Sequence, residues 1–589
     1  MDRSISDASS RPRARDGDAA GVLSSTDLIG GRYRLLQSLG RGGMGEVFRA
    51  RDEHGGRDVA LKRFRLDLDQ SEDLLRFRRE FHTLARLRHP RIVEAYDFGL
   101  DRERPFYTME LLEGEDFGDL APVPWPRAAA LLRDVASALA FLHARSLLHR
   151  DIAPRNARCT ADGRAKLLDF GMLATMGMTT EIVGTVHSIA PEMILGFPMD
   201  GRADLYGMGA LSFWLLTGRH PRRARNLADL IREGRTRPPP PSSIVSDIPA
   251  ELDDLVLSLL SHEPLGRPST AAHVIDRLTA IAALPPSEEP EVARGYIRSA
   301  DLVGRRHELE VVRKRLLRAL DGSGGTVVVE GRSGIGKTRL LHEIELEAKL
   351  AGARVMRAQA QGGGPYALLR ALGLDGLGNR HESMPAPEQS VIGRLLGDDD
   401  AVLGDTTATF VGAPVPSRGE PSGDLREDRL ELQSALARRV ERLIERAPLV
   451  IVIDDLQRAD EGSAAALASL ALGARRAAAL AGVRAADRRA HRCTAGGGWC
   501  ATRSCCAGGL RSAEIEQMLR TMFGEVANLG KLARWLQRHA GGSPLHCHEI
   551  TVTWSTAKVI ASRHGVWVIP GRFDQACPDW PSRWTSRAR

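Results

Sequence analysis

Two glycine-rich loops of different spacing are the feature that most constrains how this chain can fold. "LGRGGMGEVF" places Gly40, Gly42 and Gly45 in a G-x-G-x-x-G pattern, and "GRSGIGKT" spans Gly331–Thr338 in a G-x-x-x-x-G-K-T pattern. Glycine lets a backbone close over phosphate oxygens without side-chain clashes, and each spacing is typical of a different phosphate cradle. Because the loops lie in different halves of the 589 residues, we expect two domains, each with its own phosphate-binding site.

Further motifs follow the first loop in order. "VALK" ends at Lys62, "HRDIAPRN" runs from His149 to Asn156, "DFG" starts at Asp169, and "APE" ends at Glu192. The G-x-G-x-x-G spacing alone also occurs in dinucleotide-binding folds, whereas the complete ordered set is typical of phosphoryl transfer from ATP. Glu80 lies on an arginine-rich helical pattern, and taken alone it fits a solvent-exposed charge better than a partner for Lys62.

With these motifs in place, the region from Tyr33 to Leu278 resembles the protein kinase family, especially the bacterial, eukaryotic-like Ser/Thr kinases. The resemblance implies an α+β two-lobed protein kinase fold with ATP in the cleft between the lobes. It implies catalytic roles for Lys62, Glu80, Asp151 and Asn156, with Asp151 accepting the proton of the attacking hydroxyl. Asn156 and Asp169 are expected to hold Mg²⁺, and ATP is expected to contact Lys62, the hinge residues Glu110 and Leu112, and the loop residues Leu39, Gly40, Arg41, Gly42, Gly43, Met44, Gly45, Glu46 and Val47.

The same resemblance implies three supporting roles. Met109 is expected to line the back of the nucleotide pocket as the gatekeeper residue. Asp204 is expected to brace the catalytic loop, defined here as His149–Asn156, and Glu192 is expected to pair with Arg267.

The catalytic loop raises the question of which hydroxyl is the acceptor. Most Ser/Thr kinases carry a lysine where this chain has Ala153, whereas tyrosine kinases often combine alanine there with an arginine two residues on, as at Arg155. A guanidinium is permanently charged and long in reach, so Arg155 is expected to replace the missing cation. Gly184 and Thr185 favour Ser/Thr over tyrosine as the acceptor, while Ser188 replaces the aromatic residue usual in that loop.

The resemblance thus predicts a non-specific serine/threonine protein kinase that phosphorylates proteins, including itself, in bacterial signalling. Protein-tyrosine activity is less favoured. The alternative from another class is an ATP-binding signalling scaffold with little or no catalysis, switched by the second domain. Thr179 and Thr180 fit activating phosphorylation sites and ordinary polar loop residues about equally well.

The second half carries a complete nucleotide-binding set of its own. The strand-like "TVVVEG" precedes "GRSGIGKT", and a helical pattern follows, which is the context a P-loop requires. Gly331, Gly334, Gly336 and Lys337 are expected to hold the phosphates, and Thr338 to bind Mg²⁺. In "LVIVIDDLQRAD", Asp454 is expected to orient Mg²⁺ through water and Asp455 to polarise the attacking water.

Together with "LVGRRHEL", these motifs resemble the AAA or STAND type of signalling ATPase over about residues 301–550. The resemblance implies an α/β P-loop NTPase domain that regulates the kinase. It also allows two further properties of this domain, ATP hydrolysis and the formation of homo-oligomers. "GGSPL" (Gly541–Leu545) is expected to be the nucleotide-sensing turn of that family.

Composition shifts suggest the domain boundaries. We expect a disordered leader at 1–29, a kinase domain at 30–282, a linker at 283–300, an AAA/STAND-like ATPase domain at 301–560, and an unassigned tail at 561–589 where the chain looks truncated. Residues 488–509 are anomalous: their cysteine spacing does not match a structural zinc site. A local reading-frame error and a disordered insertion both explain them.

Bulk properties narrow the partners. The net charge of +7 is small for this length, and no basic run with interleaved aromatic residues suggests nucleic acid. The odd number of cysteines, 7, fits reduced thiols. Since the N-terminus lacks an apolar segment and no run of about 18 apolar residues occurs, neither a signal peptide nor a membrane span is expected. The expected partners are ATP and protein substrates, the cofactors ATP and Mg²⁺, and the location cytoplasmic.

Overall fold

The structure is a computed structural model of the whole chain. It describes residues 28–41, 45–64, 72–101, 104–177, 182, 184–224, 226–233, 236–285, 302–360, 366–372, 425–446, 448–473, 479–485, 503–524, 526–557, 559–563, 566–571 and 573. Several predicted features lie outside these residues: Gly42, Gly43 and Met44, the candidate sites Thr179 and Thr180, nearly all of the leader, most of the linker, and 486–502 of the anomalous stretch.

The described residues fall into two compact units. The first lies within Met1–Asp301, Arg511–Gly541 and His546–Arg589, and the second within Leu302–Leu510 and Gly542–Leu545. The predicted ATPase boundaries of 301–560 cross this division, because the helices after Leu510 group with the first unit. The domain boundaries therefore stay a prediction.

A five-stranded antiparallel sheet opens the first unit. Its strands, in the order β1-β2-β3-β5-β4, are β1 (Tyr33–Arg41), β2 (Gly45–Asp52), β3 (Arg57–Phe64), β4 (Ala95–Asp101) and β5 (Arg104–Met109). Helix α1 (Glu72–Leu84) covers one face. Phe77, Glu80, Phe81 and Leu84 recur at helical spacing and are all buried, so Glu80 shares the helix face that packs on the sheet.

Helices dominate the rest of the kinase-like region. They are α2 (Phe117–Leu120), α3 (Trp125–His143), α4 (Pro191–Ile194), α5 (Arg202–Thr217), α6 (Leu227–Glu233), α7 (Ala250–Leu259) and α8 (Ala271–Ile281). Helices α3 and α5 are buried along most of their length and form the centre of this lobe. An apolar helix surface on nearly all sides is what an internal helix requires.

Short strands carry the chain between these helices. Strands β6 (Gly114–Asp116), β8 (Ala157–Thr160) and β9 (Ala165–Leu167) form one small sheet, and β7 (Leu147–Leu148) pairs with β10 (Ala174–Thr175) in another. The catalytic loop connects β7 to β8. Two anchored strands thus hold both ends of the loop that carries Asp151 and Asn156.

A parallel sheet forms the second unit, in the order β12-β13-β14-β11-β15. The strands are β11 (Gly325–Glu330), β12 (Arg354–Gln359), β13 (Leu449–Asp454), β14 (Ala479–Ala485) and β15 (Arg503–Cys506). Its helices are α9 (Arg306–Leu320), α10 (Lys337–Leu350), α11 (Ala367–Ala371), α12 (Leu425–Arg446) and α13 (Glu461–Gly473). Strand β13 is buried along its whole length, because helices pack on both faces of the sheet.

Three helices and a hairpin complete the described chain. They are α14 (Ser512–Phe523), α15 (Leu529–Ala540), α16 (Pro544–Thr556), β16 (Ala561–Arg563) and β17 (Val566–Val568). The rings of Trp535 and Trp554 lie 4.7 Å apart, and Trp554 stacks on Phe573 at 5.7 Å. The first part of the unassigned tail therefore belongs to a packed aromatic core, which its sequence did not indicate.

The fold class is as predicted: a β-rich lobe and a helical lobe are followed by an α/β domain with a parallel sheet. Among the helices that the structure describes, none has the length and apolarity to cross a bilayer.

Candidate active sites

A buried ion pair lies at the centre of the first site. Strand β3 presents Lys62, whose Nζ lies 2.7 Å from Oε1 of Glu80 on α1 and 3.4 Å from Oδ1 of Asp169. The hydroxyl of Tyr107 on β5 donates to the same Glu80 oxygen at 2.7 Å. Glu80 is only 2% exposed, so it is the inward-facing partner of Lys62 that the kinase resemblance implied and not the exposed charge that its local pattern alone would fit. The geometry fixes the lysine ammonium beside Asp169.

The charges of this cluster reinforce one another. Burial alone would lower the pKa of Lys62, but the carboxylates of Asp169 and Glu80 outweigh burial and raise that pKa well above its usual value. The Lys62 ammonium in turn lowers the pKa of Asp169 from 3.8 to about 2. At neutral pH the cluster therefore presents a protonated amine and an ionised carboxylate, which are the states that phosphate and Mg²⁺ binding require.

The glycine loop and the hinge frame the space in front of Lys62. A side chain at Gly45 would lie 2.8 Å from the backbone oxygen of Arg63, so only glycine fits there. Glu110 follows β5, and its carboxylate accepts two hydrogen bonds from Lys166 at 2.6 and 2.7 Å. This pair ties the hinge to strand β9 of the helical lobe.

Strong backbone anchors hold the catalytic loop in shape. The carboxylate of Asp204 on α5 accepts hydrogen bonds from the backbone N–H groups of His149, at 2.9 Å, and Arg150, at 2.8 Å. His143 lies 2.9 Å from the same carboxylate. Burial alone would raise the pKa of Asp204, but the hydrogen bond from His143 outweighs it and lowers that pKa. An ionised Asp204 thus stabilises the left-handed backbone at Arg150, where φ is 65°.

Donors surround the carboxylate of Asp151 on both sides. Nδ2 of Asn156 donates to its Oδ2 at 2.8 Å, and Arg155 reaches the same oxygen at 3.2 Å. The backbone N–H and the hydroxyl of Thr185 donate to Oδ1 at 2.8 and 2.7 Å, and the Ser188 hydroxyl lies 3.4 Å from it. Asp151 itself is 4% exposed. The arrangement orients a carboxylate that can accept a proton from a hydroxyl.

Arg155 lies at the edge of this network. Its side chain is 69% exposed, whereas Ala153, which occupies the usual lysine position, is 2% exposed. The guanidinium therefore reaches Asp151 from the solvent side of the loop. Farther away, Arg267 donates to both carboxylate oxygens of Glu192 at 2.6 and 2.8 Å in a buried, bidentate pair.

The residues fit Mg²⁺ and ATP. Asn156 uses its amide nitrogen on Asp151, which leaves its amide oxygen as the ligand atom, and the Asp169 side chain is 47% exposed toward solvent. Carboxylate and amide oxygens are the ligands that Mg²⁺ prefers. The glycine requirement at Gly45 adds a backbone surface that phosphates can approach closely.

The second site lies where β11 meets α10. The phosphate loop, defined as Gly331–Gly336, ends with Gly334 at a φ of 74° and Gly336 at 91°, conformations that favour glycine. Lys337, which is 2% exposed, donates to the carbonyls of Gly331 and Arg332. Thr338 follows in the first turn of α10. The N–H groups of a helix start and a lysine ammonium thus converge at one loop.

Two aspartates end strand β13. Asp454 is 2% exposed, and its Oδ1 accepts a hydrogen bond from the backbone N–H of Asp455 at 3.0 Å. Asp455 has a φ of 56°, and its two carboxylate oxygens accept hydrogen bonds from Gln359 at 3.1 Å and Gln457 at 3.0 Å. The two carboxylates thus have different hydrogen-bond partners, which fits the different roles expected for them.

The predicted sensing turn lies directly on the phosphate loop. The Ser543 hydroxyl and the Leu545 N–H donate to the carbonyl of Gly334 at 3.2 and 3.1 Å. The next carbonyl, that of Ile335, accepts a hydrogen bond from the buried Arg305 at 2.9 Å. Distant parts of the sequence therefore hold consecutive carbonyls of the loop.

Several site residues were missed by sequence reasoning. Tyr107, His143, Gln359, Arg305 and Ser543 each contact a predicted site residue. Three of them lay within stretches that carry the two resemblances: Arg305 in "LVGRRHEL", Ser543 in "GGSPL" and Tyr107 in "YTMELLEGEDF". His143 and Gln359 are single polar residues at the ends of a helix and a strand, and no local pattern indicates them.

Comparison with known proteins agrees with this geometry. Residues 33–278 match the protein kinase domain family, and residues 301–482 match the AAA ATPase domain family. Serine/threonine-protein kinase PknB of Mycobacterium leprae is 34% identical over 284 residues, which cover 46% of this chain and 46% of that protein. PknB of Mycolicibacterium smegmatis is 36% identical over 260 residues, covering 41% and 42%.

A probable serine/threonine-protein kinase of Streptomyces coelicolor is 36% identical over 254 residues, which cover 40% of this chain and 38% of that protein. The chain thus spans less than half the length of these relatives. The resemblance proposed from the sequence motifs is confirmed at the level of domains: the chain carries a protein kinase domain, similar to that of bacterial Ser/Thr kinases, followed by an AAA ATPase domain.

Proposed function

We propose that this protein transfers the γ-phosphoryl group of ATP to serine or threonine hydroxyls of proteins, itself included. The observation that carries the proposal is the assembly of two groups. Lys62, Glu80 and Asp169 form one ion-paired cluster, and Asp151, Asn156 and Thr185 form one hydrogen-bonded network. Phosphoryl transfer depends mostly on positioning and on electrostatic stabilisation, which these two groups supply.

Each residue then has a defined task. Lys62, held by Glu80, positions the phosphates, and the backbone around Gly45 covers them. Asp151 takes up the proton of the acceptor hydroxyl as the new P–O bond forms. Asn156 and Asp169 would hold Mg²⁺, which when bound neutralises charge on the transferred group. The residues Gly184 and Thr185 support a Ser/Thr acceptor, since they resemble the segment before "APE" in Ser/Thr kinases, and Thr185 contacts the catalytic carboxylate.

Phosphoamino-acid analysis tests this proposal directly. The full-length protein is incubated with labelled ATP, Mg²⁺ and a general protein substrate, and the labelled product is hydrolysed and separated. We expect phosphoserine or phosphothreonine with the native protein and no label with a folded Asp151→Asn variant. Label in that variant would contradict the role of Asp151, and predominant phosphotyrosine would contradict the acceptor. A native protein that binds ATP without transfer would instead support the scaffold alternative.

We infer that the AAA domain binds ATP and regulates the kinase. Support comes from the complete second set of phosphate-binding residues and from the sensing turn, whose Ser543 and Leu545 contact the phosphate loop at Gly334. Binding that shifts Gly334 would shift the turn that contacts it. Hydrolysis through Asp455, self-association of this domain and the boundary at 301–560 belong to the same proposal. Comparing kinase rates of native and Lys337→Ala protein tests the regulation.

A further inference from the structure

A stack of three aromatic rings joins the catalytic network to a basic loop. His187 lies between Thr185 and Ser188, which both contact Asp151. Its ring stacks on that of His220 with a centroid distance of 3.6 Å and an interplanar angle of 11°. The ring of Trp214 on α5 lies 4.6 Å from His220. The stack therefore fixes the loop after α5 beside the segment that touches the catalytic carboxylate.

The two segments joined by this stack carry positive charge and no carboxylate. Gly184–Ala190 contains no acidic residue. Thr217–Ala224, "TGRHPRRA", contains three arginines and likewise no acidic residue. Arg219 and Arg223 are exposed, while Arg222 is buried and donates to the backbone oxygen of Thr236 at 2.9 Å. We call these two segments the basic platform.

The charge of the platform at neutral pH comes from its arginines. Burial, together with the neighbouring His187, lowers the pKa of His220 from 6.5 to about 4, so that imidazole is neutral at pH 7. A guanidinium stays charged at every relevant pH. The stacked rings supply a flat, half-buried surface, and the arginines supply the field around it.

The position of the platform determines what it meets. Asp151 accepts the proton of the acceptor hydroxyl in the proposed function, so the acceptor must come within hydrogen-bond reach of that carboxylate. Thr185 and Ser188 already lie within 3.4 Å of it. Residues flanking the acceptor in a substrate chain must therefore pass over the segment that carries His187.

We propose that the basic platform selects substrates with an acidic side chain next to the phosphorylated serine or threonine. Complementary charge supports this choice, because a glutamate or aspartate there approaches the exposed Arg219, whereas a lysine meets like charge. The proposal rests on the proposed kinase function and adds a substrate class to it.

Matched peptides provide the test. Each carries one serine acceptor with glutamate, glutamine or lysine at a single flanking position, scanned from two residues before the serine to three after it. The full-length protein phosphorylates them in low salt, and kcat/KM is measured for each. At one position or more we expect glutamate to exceed glutamine by about 2- to 5-fold, the range of a partly exposed charge pair. The preference for glutamate should become smaller in about 0.5 M salt, because ions at that concentration screen the attraction between exposed charges.

Variants then locate the preference. Arg219→Glu should reverse it, so that the lysine peptide becomes the better substrate, and His187→Gln should weaken it by displacing the loop. The control is Arg277→Glu, on α8, where the guanidinium contacts Ser258. This control makes the same change of charge in the same lobe, at a site outside the basic platform, and should leave the preference for glutamate unchanged.

The outcomes separate the two proposals. Equal kcat/KM values for glutamate, glutamine and lysine peptides would overturn the platform and leave the kinase function standing, as would a preference that persists unchanged in Arg219→Glu. If no peptide or protein is phosphorylated, the proposed function itself fails. A glutamate preference that Arg219→Glu reverses and Arg277→Glu does not would establish the platform as a determinant of specificity.

Discussion

Replacing Arg155 with alanine removes the cation that is expected to stand in for the absent lysine. In the folded protein its guanidinium lies 3.2 Å from Oδ2 of Asp151, but the side chain is 69% exposed. An ion pair that open to water contributes about 0.2–1 kcal/mol to stability. The free energy of unfolding should therefore change by less than about 1 kcal/mol.

Catalysis should suffer much more than stability. The γ-phosphoryl group is already charged in the ground state, but its charge is redistributed in the transition state, so a cation placed for that distribution lowers the barrier more than it strengthens ground-state binding. Removal of one preorganised electrostatic donor typically costs about 10²-fold in kcat, or ~2.7 kcal/mol. We expect Arg155→Ala to lower kcat by this order, with a small change in KM for ATP.

Steady-state kinetics with labelled ATP measure both constants, and thermal unfolding checks the fold. The matched control is Arg158→Ala, three residues on, whose guanidinium donates to the backbone oxygen of Gly114 at 2.6 Å. It should keep nearly full activity. Placing lysine at the usual position, Ala153→Lys, in the Arg155→Ala background should restore part of kcat. An unchanged kcat in Arg155→Ala, or equal losses in both arginine variants, would refute the substitution.

Three further predictions concern the other groups. In the full-length protein, Lys337→Ala should abolish nucleotide binding at the AAA domain, measured by titration in a Lys62→Met background, while Lys337→Ala alone keeps a functional kinase site. Because Lys62 lowers the pKa of Asp169 from 3.8 to about 2, the ionised carboxylate stabilises the fold above pH 3.8, and this stabilisation is lost as the pH falls through 2. Asp169→Asn should flatten acid unfolding curves across that interval, and identical curves would contradict the ion pair. Gln359→Ala, which removes one hydrogen bond to Asp455, should slow ATP hydrolysis by the AAA domain about tenfold with unchanged nucleotide affinity.

Local sequence was sufficient to identify site residues at positions where the chemistry requires one residue type. Gly45 must be glycine because a side chain would strike the backbone oxygen of Arg63, and Gly334 and Gly336 must adopt positive φ. Such requirements leave motifs that can be recognised without a structure. The spacing of apolar residues around these motifs also indicated a two-lobed fold followed by an α/β domain. The period of the apolar residues mainly decides which face of a strand or helix is buried.

Tertiary structure decided which polar side chains work together. The local pattern around Glu80 fits a surface charge, and its pairing with Lys62 was expected only from the kinase resemblance; the packing of α1 on the sheet places the two groups 2.7 Å apart. The contact of Ser543 with Gly334 spans 209 residues, and the stack of His187 on His220 joins two loops of unrelated sequence. No local propensity encodes such contacts, because they depend on how whole elements pack.

By itself, then, the sequence determined that this chain has two phosphate-binding domains, one of the kinase type and one of the P-loop type. Such domains can be recognised from sequence because phosphates and Mg²⁺ are held by glycines, a lysine and acidic residues that must stand at set intervals. Only the tertiary structure decided that Asp151 is surrounded by Asn156, Arg155 and Thr185, since their shared geometry arises from the packing of the catalytic loop against α5 and the segment before "APE".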